Sequence, residues 1–186
     1  MKIHYYTIFI TLCCYTASSE NKPNMNMNTF EIPEAGIAFD LPKEWVLFGK
    51  TGKLEHGKVQ YSYSHDHVQG EGRLINPSII VTLDKSSWFK DEVHYLDDKL
   101  GFYTTMGDTI GPTYSPDDSK NPLTIKGAHF SIGTSGTEDH PYGQYLMLIT
   151  FWNEKAGFHM EIQTSRVDLE SKKAEYEALL ASIRNM

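Results

Sequence analysis

Residues 143 to 152 read G-Q-Y-L-M-L-I-T-F-W, apolar on both sides of an extended chain. Such a run is stable only as a central strand of a sheet that is covered on both faces. The stretches around it carry period-two alternation, so they are expected to pair with it as half-buried strands. Ile37, Phe39 and Leu41 alternate with Ala38 and Asp40, Pro42 ends that ladder, and Trp45 follows as an anchor. Residues 58 to 65 place Val59, Tyr61 and Tyr63 on one side, and S-I-I-V-T-L-D places Ile79, Val81 and Leu83 on one face. Leu123 and Ile125 alternate, and the phase resets after Gly127 to Ala128, Phe130 and Ile132, which predicts a bulge at Gly127. Phe158, Met160 and Ile162 form the inward side of the last strand.

Two segments carry helical spacing instead. Phe89, Val93, Leu96, Leu100 and Tyr103 recur at steps of four, three, four and three, the signature of an amphipathic helix. Leu169, Tyr176, Leu180 and Ile183 line a C-terminal helix that Asp168 is placed to cap. Between the helices, residues 107 to 122 read as a long Pro/Gly/Asp loop. Strands, helix, a three-stranded meander and a final helix imply an α+β fold: an antiparallel sheet with helices on both faces, an α/β/α sandwich.

The N-terminus has another character. A single Lys, an apolar run of about eleven residues from Tyr5 to Tyr15, and the small residues Ala17-Ser18-Ser19 predict a signal peptide over 1–19. The run is shorter than the ~20 residues a bilayer span needs. Residues 20–29 are Asn-rich and polar, a tether, and 30–186 is expected to be a single domain. Both cysteines, Cys13 and Cys14, lie in the leader, and Leu12 before Cys13 departs from a lipoprotein cleavage site. The remaining chain has no thiol for catalysis or for a cysteine zinc site. A net charge of −7 without a basic cluster disfavours nucleic acid as a partner.

The strand running into L-P-x-x-W (Leu41, Pro42, Trp45), the N-P-S-I-I-V stretch before an amphipathic helix, the meander and the closing helix with Leu180 and Ile183 together resemble a known fold. It is the fold shared by photosystem PsbP proteins, Mog-type Ran-binding proteins and bacterial DcrB-like lipoproteins, and the resemblance covers roughly residues 30 to 186. It implies a non-enzymatic binding or assembly protein that uses the sheet rim and loops, and it transfers no functional residue. The exported, single-domain context is nearest the bacterial lipoprotein-like branch.

Few residues suggest chemistry. In Y-S-Y-S-H-D-H, His65 and His67 share one face of a continuing strand, where two imidazoles can hold Zn²⁺ or Cu²⁺ with a carboxylate from elsewhere. Asp66 points the other way. Glu138, Asp139 and His140 precede a strand and offer further ligands. Ser135 in G-T-S-G-T lacks the last Gly and the following helix of a nucleophile elbow. Asp117 and Asp118 do not have the spacing of a calcium loop. Trp88, which precedes its helix stripe, and Tyr142 are aromatic candidates for a partner contact. The expectation is an exported binding or assembly protein that captures another protein, without catalytic residues or cofactor. The alternative is a periplasmic metal-binding protein using His65 and His67.

Overall fold

The computed structural model describes residues 26–65, 68–70, 73–75, 77–135 and 144–186. The leader at 1–19, the tether up to residue 25, and Asp66, His67, Glu138, Asp139, His140 and Tyr142 lie outside them. Twelve strands are described: β1 Met27–Ile32, β2 Ile37–Pro42, β3 Val46–Lys53, β4 Lys58–Ser64, β5 Val68–Gly70, β6 Arg73–Ile75, β7 Ser78–Lys85, β8 Thr109–Tyr114, β9 His129–Ser135, β10 Gln144–Trp152, β11 Ala156–Ser165 and β12 Arg184–Asn185. The helices are α1 Glu92–Thr105, α2 Arg166–Ser171 and α3 Lys173–Ser182.

Seven strands form one sheet in the order β3-β4-β7-β11-β10-β9-β8, and every adjacent pair is antiparallel. A second sheet of three strands, β1-β2-β12, is laid over it. Ile32, Ile37, Phe39 and Leu41 of the small sheet share one core with Tyr63, Ile79, Val81 and Met160 of the large one. The ring of Phe39 meets that of Tyr63 edge-on at 5.6 Å. Tyr176, Leu179 and Leu180 of α3 extend the same core.

The expected α/β/α sandwich is therefore overturned. The protein is mostly β, and one face of the large sheet is covered chiefly by a second sheet, with the C-terminal helices beside it. The physical reason is that a buried face needs an apolar cover, not specifically a helix. β2 is buried along nearly its whole length, so the β1–β2 hairpin can act as that cover instead of joining the large sheet.

Several local expectations also change. Residues 107–122 contain a strand, β8, paired to β9 at the sheet edge. Leu123 and Ile125 precede β9 without being part of it, although Ile125 is buried in the core. That segment is tied down by Asn121, whose side-chain amide donates to the carbonyls of Ser115 (3.0 Å) and Ala128 (2.9 Å). The cap of α2 is Ser165, whose Oγ accepts from the Asp168 amide at 3.0 Å, while Asp168 itself is fully buried. α1 is capped by Asp91, which accepts from the His94 amide at 2.9 Å.

α1 is also rotated from its expected stripe. Tyr95 and Tyr103 are its buried residues, and Val93 is 65% exposed. The sheet beneath it presents Asp84, Thr150, His159 and Glu161, so two phenols that can hydrogen-bond suit that surface better than aliphatic side chains.

Candidate functional site

α2 packs on β10 and β11, and α3 packs on β2, where Ser182 Oγ accepts from the Asp40 amide at 2.8 Å. One buried carboxylate ties the two helices to the end of β11. Asp168 Oδ2 accepts from Thr164 Oγ1 at 2.7 Å and from the Tyr176 hydroxyl, and the Lys172 ammonium lies 3.6 Å from Oδ1. Burial, and then the bond to Asp168, raise the Tyr176 pKa, so the phenol remains a donor. These bonds join the end of β11 to α2 and α3.

Beyond this point the helices stop short of β9, and an apolar groove of about 270 Å³ opens. Phe130 and Ile132 of β9, with Tyr145 and Met147 of β10, make its floor, and Leu169, Tyr176 and Leu180 make its wall. Its rim carries four charges, Arg166, Glu170, Lys173 and Glu177. They pair along the helices, Arg166 with Glu170 at 3.0 Å and Lys173 with Glu177 at 3.6 Å. The groove thus offers an apolar interior with a rim that is neutral in sum, suited to an uncharged apolar surface.

A second polar cluster lies under α1. The Tyr103 hydroxyl donates to Glu161 Oε2 at 2.9 Å and is 2.7 Å from His159 Nε2. Because the phenol proton goes to Glu161, His159 Nε2–H donates to the phenol oxygen, and Nδ1 accepts from Thr150 Oγ1 at 3.2 Å. Both ring nitrogens are satisfied in the neutral form, so neither is open to a substrate proton. Alongside, Lys99 Nζ sits 2.7 Å from Asp84 Oδ2, which also accepts from the Tyr95 hydroxyl at 3.2 Å.

Burial, and then the nearby Lys99 and Lys58 charges, push the His159 pKa down from 6.5 to about 3. The unfolded chain therefore binds more protons between those values, and stability falls as pH drops through that window. At pH 5.5 this one group should cost about 1.4 kcal/mol relative to neutral pH. Urea unfolding of the protein and of His159→Gln between pH 7.5 and 4.5 checks this. Equal pH slopes in the two proteins would remove His159 as the cause.

Among the described residues, those singled out in the sequence do not gather at the groove. His65 lies just past β4, where Lys172 Nζ is 3.3 Å from Nδ1 and 3.4 Å from Nε2, and the ring meets Trp45 edge-on at 5.3 Å. An ammonium that close opposes a second cation on the same ring. Among the described residues no group of three or more His, Cys, Asp or Glu is placed to hold a metal, and His67 lies outside them. Trp88 is 55% exposed, with its indole against Gly57. Gly57 has φ +112°, and a Cβ there would lie 2.0 Å from that ring, so the contact depends on glycine. Ser135 ends β9, Asp118 accepts from the Lys120 amide at 2.8 Å in a turn, and Tyr142 lies outside the described residues. Among the described residues no helix is long and apolar enough to cross a membrane.

Sequence reasoning missed the groove because each lining residue reads as ordinary core. The signal that marks it is the charge order Arg166, Glu170, Lys173, Glu177 at steps of four, three and four.

No family model matches this sequence, and no curated protein matches it. Among solved structures the chain is similar to the Saccharomyces cerevisiae Ran-binding protein Mog1p. The two are 14% identical, with 83% of this chain and 85% of that one covered and a TM-score of 0.49. It is also similar to a mutant of protein Mog1, at 14% identity, 85% and 87% coverage and a TM-score of 0.48.

Proposed function

We propose that this chain is a binding protein whose contact surface is the groove between α2–α3 and strands β9 and β10. The observation that carries this reading is the apolar floor of the groove, where Ile132 and Tyr145 remain partly exposed over the buried Phe130 and Met147, beside helices that are pinned in place. Leaving such a surface in water costs roughly 25 cal/mol for each Å² of apolar area, a cost that an occupant recovers. The rim charges neutralise one another, so the driving force is apolar and the charges serve orientation.

The test uses anilinonaphthalene sulfonate as an apolar probe, titrated by fluorescence into the full chain. A saturable site is expected that Ile132→Lys abolishes, because the new ammonium stands in the floor of the groove. Phe48→Lys, on the far edge of the sheet where Phe48 is 79% exposed, should leave it intact. Circular dichroism checks that both variants are folded. Probe binding that survives in folded Ile132→Lys would sink the proposal.

A further inference from the structure

We infer that the occupant of this groove is a second copy of the same chain, docked antiparallel across α2 and α3 about a twofold axis. The inference rests on reading the groove as the binding surface, and it names the partner. Its basis is the order of the rim charges. Arg166, Glu170, Lys173 and Glu177 alternate in sign, and their spacing of four, three and four reads the same from either end. The chain leaves helical geometry at Lys172, between α2 and α3, yet all four charges lie along the rim of the same groove.

A sequence of charges with that symmetry complements itself only when reversed. The midpoint between Arg166 and Glu177 falls between Ser171 and Lys172, and so does the midpoint between Glu170 and Lys173. A twofold axis there sets Arg166 opposite Glu177 of the second copy and Glu170 opposite Lys173 of the second copy. Each contact occurs twice, as an isologous interface requires. A parallel arrangement in the same register would set every charge against its own kind. The four side chains are 46–66% exposed, so they remain available for pairing across an interface while bonded along the helix. The groove then closes against its counterpart, with the partly exposed Ile132, Tyr145 and Leu169 as the apolar surface that each copy brings. An apolar centre within a charged rim is the usual anatomy of such contacts.

Sedimentation velocity on the full chain, from about 1 µM to about 1 mM, tests this. The protein should dimerise reversibly. Glu177→Arg sets Arg166 against arginine at both ends and should raise the dissociation constant at least about tenfold. It also moves the net charge of −7 toward zero, which eases overall repulsion, so weakening cannot be put down to net charge. The double variant Arg166→Glu/Glu177→Arg gives up the pairing along each helix but restores the opposite charges facing each other across the twofold axis, and the net charge, so it should restore the dimer. A chain that stays monomeric throughout, or a dimer indifferent to Glu177→Arg, overturns the inference. The probe titration, repeated on the same samples, separates the two readings. A monomer that still binds the probe in the groove removes only the second copy as occupant, whereas a monomer that binds none removes the groove reading as well. Probe displaced as the dimer forms supports both.

Discussion

Asp168→Ala should lower the stability of the folded chain by about 3–4 kcal/mol, the largest single-residue effect expected here. The carboxylate has no exposure to solvent and serves three partners. Removing it takes the acceptor from the hydroxyls of Thr164 and Tyr176, which lie 2.9 Å apart and can satisfy only one donor between them, so the other loses about 1–3 kcal/mol of bonding. It also leaves the Lys172 ammonium without its counter-charge. Asp168→Asn retains an acceptor oxygen and should lose roughly half as much, because only the charge-assisted part is removed. Urea unfolding measures both through the midpoint at constant slope. A loss under about 1 kcal/mol in Asp168→Ala would mean that apolar packing alone holds α2 and α3. Because Tyr176 is a wall of the groove, Asp168→Ala should also weaken probe binding under conditions where the chain is still folded.

Gly157→Ala is expected to cost about 2–3 kcal/mol, for a reason of space and not of backbone conformation. A Cβ at this position of β11 would lie 2.5 Å from two ring carbons of Tyr95. The ring cannot step aside cheaply, since Tyr95 is fully buried and its hydroxyl is bonded to Asp84. α1 must lift, or the Asp84–Tyr95–Lys99 cluster must open. The companion variant Gly157→Ala/Tyr95→Phe separates these responses. If the hydroxyl bond is what prevents relaxation, the double variant loses less than the sum of the two single changes. Strict additivity would refute that account.

The buried strands were legible because burial on one face imposes alternation. β2, β4, β7 and β11 fall where Ile37, Val59, Ile79 and Phe158 begin their runs, and β10 was marked by being apolar on both sides. The strands that were missed are the edge strands β1, β3, β8 and β12 and the short separate pair β5 and β6. β3 is exposed at nearly every position, and β8 contains Gly111 and Pro112, which an edge tolerates because half its backbone groups need no partner. With no buried face there is no period to read. The rotation of α1 was hidden for a different reason. Tyr95 and Lys99 count as poor core residues in a hydrophobic pattern, and only the sheet beneath, with Asp84, shows that their polar ends are satisfied. The groove needed all of this at once. Phe130, Ile132, Tyr176 and Leu180 were each readable as core, but that the helices end before covering β9 is a fact of layer geometry and not of any one segment.

The edges of the large sheet bear on how this chain behaves when crowded. β3 exposes Val46, Leu47 and Phe48 in succession, a sequence that would recruit further strands if its ladder were regular. Its register slips between Leu47 and Gly49, with Phe48 the extra residue, and at the opposite edge β8 slips between Ile110 and Thr113 around Pro112. A foreign strand laid along either margin loses step within a few residues. Both ends of the seven-stranded sheet are thereby poor seeds for fibre growth, and the apolar tripeptide stays in water without templating an aggregate.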